Sequence, residues 1–377
     1  NFEHIIIKLN IEYMTYDEIT KAFDEDLGNY TSNWIFNNCC GNDLNIHISD
    51  INDTGDIIIN YDYLTDKYFA KDIEHLHYRI LHIINQILNH NITNMQDIEI
   101  VTPKEKNKLL YQFNNTEIYY DKNKSIVELF EEQVERTPNN IAIVFQDKKL
   151  TYKELNERSN NLANYLKYQG IQNNDICAII INRSIEMIIS ILGVLKTGAA
   201  YIPIDPHFPT DRIEYILNDS KVKNIITEDA LIHNFNNISY NITNINDKKL
   251  SNFPKTNLYV NHFFDDLCYL IYTSGSTGKP KGVMLKKGSL SNLINYCNRY
   301  ISYLNDGKYH TIISVTTISF DIFIFETLIA LQKGLKLVIA NEDAQTNAVL
   351  LNSIIEKENV EIILVKDYMD IYKNLFK

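Results

Sequence analysis

From Ser125 onward the sequence alternates short apolar runs with amphipathic stretches of about 10 to 15 residues, and few folds accept that order. Ser125 and Glu128 form a capping box ahead of Ile126, Leu129, Phe130 and Val134 at helical spacing, and Pro138 ends that helix. Ile141 to Phe145 reads as a strand. Thr151 and Glu154 form a second capping box, with Leu155, Leu162 and Leu166 on one face and Gly170 as the stop. Ile176 to Ile181 is a buried strand, Ser184 to Lys196 a helix stopped by Gly198, and Tyr201 to Ile204 a strand. A helix follows through Asp211, Glu214 and Leu217, and Val222 to Thr227 is a strand. Parallel strands need long crossovers, so this order predicts an α/β fold with helices on both faces of a mostly parallel sheet.

Gly and Pro are scarce. The chain has 12 Gly and 7 Pro among 377 residues, where ordinary usage would give about 26 and about 19. Three Gly fall at 275, 278 and 282, behind the strand-like Leu267 to Tyr272. The run Thr273-Ser-Gly-Ser-Thr-Gly-Lys-Pro-Lys-Gly282 joins glycines, which let backbone N–H groups converge on an anion, to four hydroxyls and two cations. Such a loop suits a polyphosphate. It is not a Walker A loop, because Gly275 and Gly278 are three apart and Pro280 follows Lys279. It is not Gly-x-Gly-x-x-Gly either, so a dinucleotide is not indicated.

At these residues a resemblance becomes specific. Tyr272 to Gly282 resembles the phosphate-loop signature of adenylate-forming enzymes, the superfamily of acyl-CoA synthetases, luciferase and the adenylation domains of nonribosomal peptide synthetases. Leu150-Thr-Tyr-Lys-Glu-Leu155 and Leu195-Lys-Thr-Gly-Ala-Ala-Tyr-Ile-Pro-Ile-Asp-Pro206 resemble the first two core motifs of the adenylation domains, and Phe320-Asp321 with Glu326 the fourth. Arg183-Ser184, Glu186-Met187, Arg212-Ile213 and Asp219-Ser220 match the spacing between them. The similarity runs from about 125 to 365. Ile57 to Leu88 and Asn114-Asn115-Thr116 resemble the tail of a condensation domain and its linker. The resemblance implies a partial condensation domain over 1–100, a linker over 101–124, and the large, N-terminal subdomain of an adenylation domain over 125–377, incomplete.

The implied reaction is attack of an amino-acid carboxylate on the α-phosphate of ATP, with Mg²⁺, followed by transfer of the acyl group to a phosphopantetheine thiol on a carrier domain outside this chain. By resemblance, Thr273, Ser274, Gly275, Ser276, Thr277, Gly278, Lys279, Lys281 and Gly282 hold the phosphates, and Lys281 is catalytic. Asp321 pairs with the substrate α-ammonium group, in a low dielectric supplied by Phe320, Ile322, Phe323 and Phe325, and Ile322 and Phe325 line the side-chain pocket. Read without the resemblance, Asp321 is an ordinary helix N-cap. The implied partners are the amino acid and the carrier and condensation domains of the same synthetase.

Some positions depart from the pattern. Lys287 stands where the family usually has His, Phe323 where Ser is common, and 365–370 differ from the usual Thr/Pro-containing turn. The Tyr-Gly-Pro-Thr-Glu segment, ribose-binding Asp, hinge and small subdomain with its catalytic Lys are not found, and neither is His-His-x3-Asp-Gly. The 377 residues on their own are therefore expected to turn over ATP little, and 1–100 to be inert in peptide-bond formation. Asn1 in place of Met suggests a piece of something longer. Two other readings stay open: an acyl-CoA or acyl-AMP ligase, for which an Asp at 321 has nothing to pair with, and a non-catalytic remnant.

Other features are plainer. Net charge of −12 argues against a nucleic-acid partner. The most apolar stretch, Ile176 to Ile204, is broken by Asn182, Arg183, Glu186 and Lys196, which argues against a membrane span. The five Cys show no paired spacing, and a cytoplasmic setting with reduced thiols is expected. Lys71 to Leu88 reads as an amphipathic helix with Ile73, Leu76, Ile80, Ile83, Ile84 and Leu88 on one side, preceded by paired strands at Asn45 to Ile48 and Asp56 to Tyr63. The Asn-rich stretch 233–264 reads as a loop, Asp265-Asp266 as a solvated cap, and no metal site is expected.

Overall fold

The computed structural model describes residues 9–14, 42–49, 57–90, 92, 94–119, 124–235, 240–273, 279–300 and 307–364. Their contacts divide the chain into two units, Asn1–Ile118 and Tyr119–Lys377.

In the first unit Leu9–Met14 (β1), Leu44–Ser49 (β2) and Ile58–Tyr63 (β3) form a three-stranded sheet. β2 and β3 pair antiparallel, as their alternation predicts, and β1 lies parallel to β2. Helix Ala70–His90 (α1) buries Ile73 against Leu44 and Ile46, with Leu76 and Ile80 beside them. Ile84 and Leu88, expected on the same packed face, are exposed. A 21-residue helix is roughly 30 Å long, whereas six-residue strands reach roughly 20 Å, so the second half of the helix outruns its sheet. Within 101–124, Pro103–Asn107 (α2) is helical, started by a Thr102–Glu105 capping box, and a π turn follows over Lys108–Gln112. The polar composition of that stretch does not exclude regular structure.

The second unit holds two sheets. The larger has the order β11-β10-β7-β6-β8-β9 and the smaller β14-β12-β13-β4-β5. The strands are Ile141–Phe145 (β4), Lys148–Thr151 (β5), Ile176–Ile180 (β6), Ala200–Pro203 (β7), Asn224–Thr227 (β8), Asn241–Asn244 (β9), Leu267–Thr273 (β10), Lys281–Lys286 (β11), Thr311–Ser314 (β12), Lys336–Ile339 (β13) and Ile362–Ile363 (β14). All pairings are parallel except β4 with β5 and β10 with β11.

Side chains alternate between two environments along each strand. Cys177 and Ile179 of β6, and Leu337 and Ile339 of β13, join one large cluster with helices Ile126–Arg136 (α3), Tyr152–Tyr168 (α4) and Ile185–Lys196 (α5). Ala178 and Ile180 face the other way, against Ile216 and Leu217 of helix Thr210–Asp219 (α6). Val338 does the same against Leu351 of helix Ala348–Glu358, which we number α10. The remaining helices are Lys287–Tyr300 (α7), the 322–332 stretch (α8) and Glu342–Thr346 (α9). Helices α3, α4 and α5 are therefore shared by the inner faces of both sheets. α5 is apolar all round and buries every residue except Glu186, as a central helix must.

Both predicted capping boxes form: the Ser125 and Thr151 side chains accept from the N–H groups of Glu128 and Glu154, whose carboxylates accept in return from the cap N–H groups. Gly198 takes φ of +87°, the left-handed stop expected after α5. The stretch read as a loop, 233–264, carries an edge strand, β9, and a 3-10 turn over Lys248–Asn252; residues 236–239 lie outside the described set. Cys177, Cys268 and Cys297 are buried and outside any disulfide among the described residues, and burial pushes the Cys177 thiol up to about 12; Cys39 and Cys40 lie outside the described residues.

Candidate functional site

The hydroxyl-rich run connects β10 to β11 in the sequence, and the two strands pair antiparallel. Thr273 and Lys281 are cross-strand partners at the root of this hairpin. Ser274, Gly275, Ser276, Thr277 and Gly278 lie outside the described residues. Thr273, Lys279 and Lys281 are exposed. Gly282 stands opposite Tyr272, and a Cβ there would come within 2.8 Å of the Tyr272 ring. The sequence assigns Gly282 to the phosphate loop; geometrically it makes room for that ring one residue inside β11. Tyr272 Oη donates to Asp219 Oδ2 at 2.8 Å, which ties the root of the hairpin to α6, and burial followed by this bond raises the phenol pKa.

Thr273 shares a cleft of about 980 Å³ with Asp321, Ile322 and Phe325. Tyr269, Arg212, Leu285, Thr317 and Ser319 also line it. The structure thus brings together residues from two distant stretches of the chain that the sequence assigned to two parts of one site. Asp321 caps the 322–332 helix: its Oδ1 accepts from the Ile322 N–H at 2.9 Å. The N-cap role and a place in the cleft therefore coexist. The expected low dielectric does not. Asp321 and Phe320 are exposed, while Phe323 is buried in the core, because the first helical turn carries it inward away from the cleft. Asp321 is still electrically close to the cleft wall, since its charge adds to burial and Cys268 in raising the Tyr269 phenol pKa.

One further correction concerns a charge. Asp265 is the solvated member of its pair, bound to Lys286 at 2.8 Å. Asp266 is buried, not a solvated cap, and faces the equally buried Lys287 at 3.1 Å. Phe263 N, Asn173 Nδ2 and Asn174 Nδ2 also donate to it. Burial would raise the Asp266 carboxyl, but these donors outweigh it and hold it at about 2. In the first unit, His77 Nδ1 pairs with Tyr61 Oη at 2.9 Å. Among the described residues no group of three or more His, Cys, Asp or Glu could hold a metal ion, and no helix is long and apolar enough to cross a membrane.

Two layered, mostly parallel sheets with a hydroxyl- and Lys-bearing hairpin beside a carboxylate-lipped cleft define a protein of the adenylate-forming class. The chain belongs to the AMP-binding enzyme family, whose profile matches residues 130–366. It is 37% identical over 321 residues to bacitracin synthase 3 of Bacillus licheniformis, covering 84% of this chain and 5% of that one. It is 33% identical over 324 residues to gramicidin S synthase 2 of Brevibacillus brevis, covering 85% and 7%. The chain therefore spans a small part of the curated relatives it matches. The fold matches a crystal structure of the nonribosomal peptide synthetase FmoA3 with a TM-score of 0.71 at 19% identity, over 84% of this chain and 33% of that one. It matches the N-terminal subdomain of Klebsiella oxytoca NpsA with a TM-score of 0.57 at 26% identity, over 65% and 62%. The resemblance to nonribosomal peptide synthetase adenylation domains drawn from the motifs holds.

Proposed function

We propose that this chain is the nucleotide- and substrate-binding part of a module that activates an amino acid as its aminoacyl adenylate. The observation that carries the reading is the shared cleft of Thr273 at the hairpin root and Asp321, Ile322 and Phe325 on the opposite element. A substrate carboxylate oxygen attacks the α-phosphorus, the bond to the bridging oxygen breaks, and pyrophosphate leaves. Negative charge grows on the phosphoryl oxygens, so the cation of Lys281 and the hydroxyl of Thr273 act where that charge develops. Mg²⁺ would supply further charge neutralisation; with no three-carboxylate or histidine cluster among the described residues, the ion fits as one carried in on the triphosphate. Asp321 holds the α-ammonium group and Ile322 and Phe325 meet the side chain. Transfer to a carrier-bound phosphopantetheine thiol would follow, and 1–100 would be the end of a condensation domain.

Amino-acid-dependent ATP–pyrophosphate exchange by the full-length protein tests this. Lys281→Ala is expected to lower kcat/KM for ATP by about 5- to 10-fold, the scale of one charge-assisted hydrogen bond weakened by exposure, with KM for the amino acid unchanged. Exchange supported by fatty acids and by no amino acid would instead establish an acyl ligase.

A further inference from the structure

We infer that Glu326, acting with Arg183, is a positioning residue for substrate recognition: it clamps the end of β12 so that the 317–321 segment presents Asp321 to the cleft. The inference rests on the proposed role of Asp321.

The chain leaves β12 at Ser314 and enters the helix at Ile322. The residues between them carry Thr317, Ser319 and Asp321 into the cleft wall. No strand ladder extends over them; Phe320 N–H donates to the Thr317 carbonyl at 3.1 Å, and Thr317 Oγ1 lies 3.2 Å from Ser319 Oγ and donates to Asp205 Oδ2 at 3.2 Å. A second hold comes from behind, on the residues that lead into them. Glu326 is wholly buried, and its Oε2 accepts from Ser314 Oγ at 2.8 Å, Thr316 Oγ1 at 2.7 Å and Thr316 N at 3.1 Å. Arg183 approaches the same two residues from the other side. Its Nη2 donates to the Ser314 carbonyl at 2.7 Å and to Ser314 Oγ at 3.1 Å, and its Nη1 donates to the Thr316 carbonyl. Its Nε donates to the Ala340 carbonyl at 2.8 Å, behind β13. Ser314 and Thr316 are held on both sides, by opposite charges that meet through the Ser314 hydroxyl.

The electrostatics set the condition under which this arrangement persists. Burial raises the Glu326 carboxyl and lowers the Arg183 guanidinium to about 10, and each charge counters the shift of the other. A buried ionic pair is often no more stable than an apolar replacement. Stability is therefore a weak reason for this network, and fixed geometry at the lip of the cleft is a stronger one. Glu326 also lies in the π turn Phe325–Ile329, the kind of helical irregularity that accompanies functional sites. Its neighbour Phe325 faces the cleft, so one short turn both lines the cleft and anchors its wall.

Three variants of the full-length protein separate positioning from bulk stability. Thr316→Val removes one donor at constant shape. Glu326→Gln keeps an acceptor but no charge. The double change Glu326→Leu with Arg183→Met replaces both charges by apolar side chains. In pyrophosphate exchange, Thr316→Val is expected to raise KM for the amino acid by about 5- to 10-fold with KM for ATP within about twofold. Glu326→Gln should lie between wild type and Thr316→Val. The double variant should fold with a lowered melting temperature, because Ser314, Thr316 and Ala340 lose buried partners, and show the raised amino-acid KM with KM for ATP within about twofold. Wild-type amino-acid KM in the folded double variant overturns the inference, as does an equal rise in both KM values. If the wild-type protein exchanges with no amino acid, the proposed function fails. Amide exchange over 316–321 then reads the clamp directly: it should be about 10-fold faster in Thr316→Val, and an unchanged rate would refute the positioning role.

Discussion

Asp321→Asn is expected to lower kcat/KM for the amino acid by about 10- to 100-fold, the scale of a hydrogen bond between charged groups, while KM for ATP stays within about twofold. The choice of Asn matters because Asp321 does two things. Its Oδ1 caps the helix through the Ile322 N–H, and an Asn oxygen can do the same. Asn therefore removes the charge and keeps the cap, and the melting temperature should not change. Asp321→Ala removes both, and should add a loss of about 1 kcal/mol in stability. Exposure of the free carboxylate also sets the size of the effect. In water a surface ion pair is worth little. The pairing with an α-ammonium group gains strength only once the substrate displaces water from the cleft, so the loss should appear in substrate use and not in the unliganded protein. Wild-type amino-acid kinetics in Asp321→Asn would leave the residue as a helix cap and nothing more.

What the sequence made legible was whatever is coded over a few residues. The two capping boxes, the stops at Pro138 and Gly198 and the strands Ile141–Phe145 and Ile176–Ile180 rest on local signals, and the folded chain adopts them within a residue or two. The site was legible to the extent that it is written as ordered motifs: Thr273 and Asp321 do share a cleft. What stayed hidden depends on partners far along the chain. Asn160, Asn161 and Asn164 fall in the stretch read as a helix, which gave them no role. They lie on α4 and donate to the carbonyls of Lys255 at 2.8 Å, Phe253 at 2.5 Å and Pro254 at 3.1 Å. Side-chain amides thus hold in place a stretch whose own residues carry no periodicity, which is why 233–264 read as an unstructured loop. Arg183 and Glu326 appeared only as spacing, because nothing local tells a buried charge from a solvated one. The same blindness placed Asp266 in solvent and Phe323 beside the Asp321 carboxylate.

Lys287→Met is expected to destabilise the second unit by about 3–5 kcal/mol, the usual penalty for stripping one partner from a buried ion pair. For a unit of this size that is about 10 °C in melting temperature. The Lys287 ammonium donates to Asp266 Oδ2 at 3.1 Å, to the Gly198 carbonyl at 3.2 Å and to His262 Nδ1 at 3.2 Å. It therefore joins the end of β11, the turn after α5 and the strand entry at Asp266. Without it Asp266 keeps its three neutral donors but loses the opposite charge it faces. Changing Asp266→Asn as well removes the stranded charge, so the double variant should recover much of the loss, and simple additivity would show that the two do not act as a pair. The pH dependence gives an independent check. Because Lys287 donates to Nδ1, neutral His262 carries its proton on Nε2. Burial and then the Lys287 charge lower the His262 pKa to about 4. The unfolded chain takes up that proton near 6.5, so the folded state should lose on the order of 2 kcal/mol as the pH falls from about 6.5 to about 4. The Asp266 carboxyl, held at about 2, contributes little to that window, since it remains ionised throughout in the folded state and in the unfolded state protonates only near its lower end. Replacing His262 with Leu should flatten the acid limb of a urea-denaturation series across that range, while an undiminished slope would assign the limb to other groups. In Lys287→Met the limb should become shallower too, because the desolvation of His262 persists but the neighbouring charge that opposed its protonation is gone.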